Sequence, residues 1–441
     1  MQIILLCGGS GKRLWPLSNG VRSKQFLQLF MSPEGKKESM LQRVVRQIKE
    51  SGIADGITVA TGSSQYDAII SQLGDKVEIV VEPERRDTFP AIALAAEYLV
   101  KVKKLADDEV VAVMPCDPFT DAGYYETIGA MAGKVRENLA DMVLMGITPD
   151  EPSSKFGYLL PESPGAEIVS SFVEKPDAEK ARKFLELGAV WNGGVFAFRL
   201  GYIREIAERY LDCASFEEFA DRYSSLPKIS FDYEIAEKAE SVGVVYFSGR
   251  WKDLGTWETL AEELNQDVSG NAHAYMCSRT TIVNELSLPV VCHGTSNIVV
   301  AASPDGILVV DKDMAQNVKE SVGQLEARPM YEERRWGTYK VIDHIEFGDG
   351  FRALTKQLTL NPGCSISYQR HECRDEVWTF IDGHGELVID GVRRDVGRGD
   401  TVTIERGTLH ALRARSPLTF IEVQRGSNLV EEDIERFAFD W

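Results

Sequence analysis

Short apolar runs alternate with amphipathic stretches along the first quarter of the chain. Ile3–Cys7, Ile57–Ala60, Glu78–Val81 and Val110–Met114 read as strands. Between the first two, Met40, Leu41, Val44, Val45 and Ile48 recur at helical spacing behind Ser39, an N-cap candidate. Gln65–Leu73 and Pro90–Val102 read as further helices, the second with proline near its first turn. Apolar strands alternating with helices predict an α/β fold, a doubly wound, mostly parallel sheet covered on both faces. Ligands of such sheets sit beyond the carboxyl ends of the strands.

Past Asn265 the helical periodicity fades. Thr281–Val283, Val290–Cys292, Ile298–Val300 and Ile307–Val310 are short β-like runs, which predict a small β-rich connector. From Trp336 onward, Leu354–Leu360, Ser365–Tyr368, Val377–Ile381, Glu386–Ile389, Thr401–Ile404 and Leu418–Val423 are separated by Gly and Asp turns. That spacing predicts an antiparallel barrel or jelly roll. Three domains are expected, at 1–265, 266–330 and 331–441, as the length of 441 residues also suggests.

Composition narrows the function. With 44% hydrophobic and 27% charged residues the chain is globular. A net charge of −19 argues against nucleic acid as a partner. No apolar run approaches the ~20 residues of a membrane span, and the N-terminal run is too short and uncharged for a signal peptide. Seven scattered cysteines form neither a pair motif nor a zinc ladder, so a reduced, cytoplasmic chain is expected. Cys116, beside Asp117, reads as a buried small hydrophobe.

The first strand runs into Gly8-Gly9-Ser10-Gly11-Lys12-Arg13, followed by Lys24. Glycines let backbone N–H groups converge on an anion, and the cations neutralise it. A P-loop would need glycine at Leu6 and Ser or Thr at Arg13; a dinucleotide fingerprint would need a third glycine at Leu14. Neither pattern fits, which leaves a polyphosphate cradle of another kind.

GGSGKRLWPLSNGVRSKQF (Gly8–Phe26), EPERRDTFPAIALAA (Glu82–Ala96), FVEKP (Phe172–Pro176), WNGGVFAF (Trp191–Phe198) and WKDLGTW (Trp251–Trp257) resemble, in order, the motifs of the sugar-1-phosphate nucleotidyltransferases. Among these the chain is most similar to the mannose-1-phosphate guanylyltransferases. The resemblance implies transfer of GMP from GTP to mannose-1-phosphate, giving GDP-mannose and pyrophosphate, in a homodimer. It implies that Arg13 and Lys24 grip the triphosphate, with backbone contact from Gly8, Gly9 and Gly11. Lys175 would hold the sugar phosphate, and Gly157, Glu174 and Asn192 the sugar. Asp117 and Asp253 would hold Mg²⁺, in the usual arrangement of one or two carboxylates plus substrate phosphates. Glu82 can accept from guanine N1–H and its exocyclic amine, with Arg86 and Thr88 as neighbours.

Several positions depart from the family pattern. Asp87 stands for Asn, Ser23 for Pro, MPCDP for an LPADH-like run, and Gly193 for the Ser of WNSG. Because these lie at ligand-contacting segments, a different base or sugar-1-phosphate is the alternative. A nucleotide-sugar-binding regulator without turnover is the contrasting class.

Arg334–Tyr339, Lys356–Gly363, Ser365–Trp378 and Phe420–Phe437 resemble the C-terminal cupin of the bifunctional phosphomannose isomerase/guanylyltransferases. A cupin site takes two ligands two apart, a carboxylate on the next strand and a later histidine. Gln369, His371, Glu376 and His410 match that order, a set suited to Zn²⁺, Mn²⁺ or Fe²⁺. Where the isomerases read HHHRAEHW, this chain reads His371-Glu372-Cys373-Arg374-Asp375-Glu376-Val377-Trp378, and Glu405 replaces a proline. Three readings stay open: a mannose-6-phosphate isomerase, a metal-holding cupin acting on something else, and a dimerisation module.

Overall fold

The computed structural model describes residues 1–9, 11–264, 266–325 and 328–441, so the expected boundary at Asn265 falls outside the described residues. Contacts divide the chain into two compact units. The first comprises Met1–Ser10, Ser23–Tyr66 and Leu73–Asn265; the second comprises Gly11–Arg22, Asp67–Gln72 and Gln266–Trp441.

The first unit is built on a nine-stranded mixed sheet. Its main path runs Val169–Val173, Tyr158–Pro161, Val190–Arg199, Val110–Pro115, Gln2–Cys7, Gly56–Gly62, Glu78–Glu82. Met142–Ile147 pairs with Val190–Arg199 and carries Val242–Phe247 on its other side. Gln2–Cys7 runs parallel to Gly56–Gly62 and Val110–Pro115, and Gly56–Gly62 runs parallel to Glu78–Glu82. These are the strands whose alternation with helices was legible, and the crossovers Met40–Ser51, Ser63–Leu73 and Thr88–Lys101 connect them. The sheet turns mixed at Val190–Arg199, which is antiparallel to all three of its partners. Val195, Phe196, Ala197 and Phe198 are buried in succession, on both faces, so the apolar pattern does not distinguish direction.

Local chemistry sets the helix ends. Ser39 caps Met40–Ser51 through a reciprocal box with Gln42, and Gly52 ends that helix in the left-handed region at φ 67°. Thr88–Lys101 starts two residues earlier than expected, because the Asp87 carboxylate caps it by accepting from the Thr88 N–H. Phe89, Ile92, Leu94 and Leu99 pack with Val111, Val113, Phe196, Phe198 and Phe231 in the core.

In the second unit, Val268–Ser269, Thr281–Asn284 and Ile298–Ser303 stack in parallel, and Ala272–Tyr275 pairs in parallel with Val290–His293. The connector is therefore coiled as a small β-helix around Ile282, Cys292 and Val300. Residues 331–441 form a six-stranded and a five-stranded antiparallel sheet, with Trp378, Phe380, Leu387, Leu412 and Phe420 in the core. The expected strand Ser365–Tyr368 is reduced to a single bridge, Ser365 to Arg413, and the strand proper lies at Tyr368–Arg370. Around that bridge the Ile366 N–H donates to the Leu412 carbonyl at 3.0 Å and the Ala414 N–H to the Cys364 carbonyl at 2.9 Å. Among the described residues, no helix is long and apolar enough to cross a membrane.

Ser39→Ala removes a side-chain cap from the first long helix. It is expected to lower the stability of the first unit by about 1 kcal/mol, read as an earlier urea transition at unchanged slope.

Candidate active site and metal centre

The parallel strands all end on one edge of the sheet, and the candidate residues of the first unit collect there. Gly8 and Gly9 follow Gln2–Cys7, Glu82 ends Glu78–Glu82, and Asp117 lies just past Val110–Pro115. The Gly9 carbonyl accepts from Ser23 Oγ and Gln65 Nε2, each at 3.2 Å, and Gln65 also donates to Ser23 at 2.8 Å. Gln25 Nε2 donates to the Gly8 carbonyl at 3.3 Å. Across a planar trans peptide, a Gly8 carbonyl held this way turns the Gly9 N–H to the opposite side. Ser23, a departure from the family pattern, is thus a structural tie of the turn.

Asp253 is 136 positions from Asp117, but a two-stranded ribbon brings them together. Pro118–Thr120 pairs antiparallel with Trp251–Asp253, with Asp253 opposite Pro118. Lys24 Nζ lies 2.9 Å from Asp117 Oδ2 and 2.9 Å from Asp253 Oδ1. Burial alone would depress the ammonium's pKa, yet the two carboxylates outweigh it and hold Lys24 charged above its ordinary range. Two hard carboxylates converging on one cation are a donor set suited to a divalent ion. Gly11 and Arg13 belong to the second unit, and Arg13 is exposed in the turn Lys12–Leu14.

Glu82, Arg86 and Thr88 are each tied to the segment 223–231. Tyr223 donates to Glu82 at 2.7 Å, Arg86 Nη1 donates to the Leu226 carbonyl at 2.6 Å, and the Phe231 N–H donates to Thr88 Oγ1 at 2.8 Å. Burial raises the Glu82 carboxyl above the usual range. Asp87 sits at φ 72° and ψ −173°, an extended positive-φ conformation that residues other than glycine rarely adopt.

The candidate sugar residues form a second group. The Asn192 N–H donates to the Gly157 carbonyl at 2.8 Å, and its side chain donates to Asp232 Oδ1 at 2.7 Å. Lys175 Nζ pairs with Glu174 at 2.8 Å. A Cβ at Gly157 would collide with the Glu174 carboxylate and the Phe172 ring, so glycine is what admits Glu174 there. Asp232 was not foreseen from the sequence. Burial first, and then the Glu174 charge, push its carboxyl up to about 6. The signal for it was modest: a Ser230 N-cap followed by Asp232 and Glu234 in the first turn of a short helix.

In the second unit, His371, Glu376 and His410 are buried, and their ligand atoms lie within 4.8 Å of one another. His371 Nε2 is 3.2 Å from Glu376 Oε1, and His410 Nε2 is 3.7 Å from Glu376 Oε2. Ligands in a tetrahedron of ~2.1 Å bonds stand about 3.4 Å apart. His371 Nδ1 faces the Asp433 carbonyl and His410 Nδ1 the Thr408 carbonyl, which leaves each Nε2 lone pair inward. His410 Nε2 is buried without a hydrogen-bond partner. Burial and the neighbouring Arg374 push His371 down to about 4, so both charge and tautomer suit a metal ligand. Gln369 Nε2 lies 3.4 Å from His371 Nε2.

The sequence reading missed the charges packed around this centre. Arg374 Nε donates to Glu376 at 2.9 Å, and its Nη2 reaches His371 Nε2 at 3.3 Å. Burial, then Glu376, raise the Glu422 carboxyl to about 7, against Lys356 and Arg374. A cavity of about 300 Å³ opens here, lined by Lys356, Gln369, Arg374, Glu422 and Arg436 among others.

Known proteins place both units. The family profile described as nucleotidyl transferase matches residues 2–270. The chain belongs to the nucleotidyl transferase family. Residues 276–325 match the MannoseP isomerase/GMP-like beta-helix domain, and residues 325–439 match the mannose-6-phosphate isomerase C-terminal family. The xanthan biosynthesis protein XanB of Xanthomonas campestris pv. campestris strain B100 is 32% identical, over 98% of this nucleotidyl transferase and 97% of XanB. A mannose-1-phosphate guanylyltransferase of Salmonella montevideo is 30% identical, over 99% of this chain and 98% of that one. A solved structure, described as a mannose-1-phosphate geranyltransferase from Thermus thermophilus, is 33% identical. It has a TM-score of 0.61 and covers 74% of this chain and 99% of that one.

The raised Asp232 pKa has a definite sign. The stability carried by its protonated form is complete below about pH 3.8 and is lost as pH climbs through about 6. Asp232→Asn is therefore expected to gain on the wild type in urea midpoint between pH 4 and pH 7, with the difference levelling above pH 7.

Proposed function

We propose that this nucleotidyl transferase joins GTP and mannose-1-phosphate to give GDP-mannose and pyrophosphate. The observation that carries the reading is Lys24 set 2.9 Å from both Asp117 and Asp253 at the strand edge that ends in Gly8 and Gly9. Full-length similarity to a mannose-1-phosphate guanylyltransferase supports it.

In this mechanism an oxygen of the sugar phosphate attacks the α-phosphorus of GTP in line. The new P–O bond forms as the bond to the β-phosphate bridging oxygen breaks, and pyrophosphate leaves with the electron pair. No covalent enzyme intermediate is needed, so positioning and charge carry the rate. Lys24 and Arg13 offset the triphosphate charge, and the Gly9 N–H approaches it. Lys175 holds the sugar phosphate against its own repulsion from the nucleotide. Glu174, Asn192 and Asp232 orient the sugar hydroxyls, and Glu82 reads the base edge. Asp117 and Asp253 would hold Mg²⁺, whose chemistry there is neutralisation of the phosphate oxygens.

A second activity is favoured by one observation, the cluster of His371, Glu376 and His410 beside a cavity lined with cations. It supports a divalent metal, with Zn²⁺, Mn²⁺ and Fe²⁺ as candidates, and isomerisation of mannose-6-phosphate.

Pyrophosphate release measured with GTP, ATP, CTP, UTP and dTTP, each against several sugar-1-phosphates, is expected to be fastest for GTP with mannose-1-phosphate. Preference for another base sinks the guanylyl assignment. Asp253→Asn is expected to cut kcat by about a hundredfold or more, the scale of losing one electrostatic contact in a water-poor site.

For the cupin, metal analysis is expected to find one transition-metal ion per chain in wild type and none in His410→Ala. Fructose-6-phosphate turnover in a coupled assay should disappear with the ion; bound metal without turnover overturns the isomerase reading.

A further inference from the structure

A glycine-rich phosphate turn ordinarily leads straight into a helix, whose first turn stiffens it and lends its dipole. Here it does not. After Gly11 the chain makes the single turn Lys12–Leu14, and among the described residues the first α-helix begins only at Met40. The ordering of Lys12 and Arg13 must come from elsewhere, and the segment Gly11–Arg22 in fact folds as part of the second unit.

Four contacts to the β-helical connector hold it. The Trp15 ring lies against Gly306, where a Cβ would stand 2.6 Å from Trp15 Cζ2; the Gly306 φ of +151° disfavours any other residue as well. Ser303 Oγ donates to the Pro16 carbonyl at 2.6 Å. Asn19 Nδ2 donates to Asp305 Oδ2 at 2.6 Å, while Asn19 Oδ1 accepts from the Val21 and Arg22 N–H groups at 2.9 and 2.7 Å. Arg22 forks onto Glu285 at 2.7 and 3.0 Å, with its guanidinium 4.9 Å from the Tyr331 ring centre. The Arg22 side chain is only 13% exposed, so this bidentate pair is sheltered from the screening that weakens surface pairs.

We propose that Glu285, Ser303, Asp305 and Gly306 are positioning residues for nucleotidyl transfer: the β-helical connector sets the conformation of the cation-bearing half of the phosphate turn. The connector thereby acts in triphosphate binding and is more than a spacer. The inference rests on the reading of Lys12 and Arg13 as part of a triphosphate grip.

Glu285→Ala, Glu285→Gln and Gly306→Val in the full-length chain test it. If the competent conformation of the turn falls to a tenth of the population, the apparent GTP affinity falls about tenfold. Glu285→Ala is expected to raise the GTP KM by about that factor, with the sugar-1-phosphate KM and cupin metal content unchanged. Glu285→Gln, which retains one hydrogen bond to Arg22, should fall between. Tryptic cleavage after Lys12 and Arg13 should accelerate in the same order, a readout that needs no turnover. An unchanged GTP KM in folded Glu285→Ala overturns the proposal, as does an equal rise in both KM values. Gly306→Val is scored only against its own melting curve, and Glu285→Gln decides the question if that variant unfolds. Should the wild type release no pyrophosphate from any triphosphate, the proposed reaction falls. Equilibrium GTP binding and tryptic cleavage then still decide whether the connector positions the turn.

Discussion

The Lys24 ammonium, held 2.9 Å from both Asp117 and Asp253, is the interaction around which the strand edge of the first unit is organised. Two carboxylates at the edge of a sheet repel one another and any phosphate brought near them. A cation shared between them offsets one of the two charges and relieves their mutual repulsion, and the pair keeps that cation charged in spite of burial. Geometry makes the sharing feasible: the ribbon of Pro118–Thr120 and Trp251–Asp253 delivers Asp253 from the far end of the unit to the strand that presents Asp117. Behind it, Glu263 pairs with Arg250 and Lys252 on either side of Trp251, fixing the ribbon's second strand by ion pairs.

The cupin meets a related problem with buried carboxylates. Glu376 and Glu422 are buried together with Lys356 and Arg374. A buried carboxylate is costly unless it is paired and hydrogen-bonded. Glu376 is satisfied by Arg374 on one oxygen and Trp378 on the other, whereas Glu422 shifts upward instead. Lys356, Arg374 and Glu422 line a cavity, not the solid apolar core, which is why these charged groups are tolerated at this depth.

Legibility differed sharply between elements. The parallel strands of the first 115 residues and the helix behind Ser39 were readable because period and capping agree locally. The coils of the connector were legible as β runs but not as a β-helix, since the parallel stacking of Val268–Ser269, Thr281–Asn284 and Ile298–Ser303 is a property of no single run. Among site residues, those inside motifs were placed by resemblance. Asp232 and Tyr223 act on them from other segments and carry no spacing signal of their own, whereas Arg374 stands two residues before Glu376 on the same strand and only its burial against that carboxylate was not legible. Ser23 is instructive in another way: its departure from the family pattern reads as a change of ligand contact, whereas its hydroxyl spans Gly9 and Gln65.

The sequence by itself determined the α/β and β-rich halves, the phosphate-type turn and the residue types able to meet phosphate and metal. Those properties follow from period, capping and side-chain chemistry, which act over a few residues. Tertiary structure alone decided which carboxylates share a cation, that His410 presents a bare Nε2 to Glu376, and that the half of the turn bearing Lys12 and Arg13 folds with the connector. Each joins residues far apart in the chain, and no local preference encodes a contact whose energy arises only when the strands have been paired and the groups desolvated.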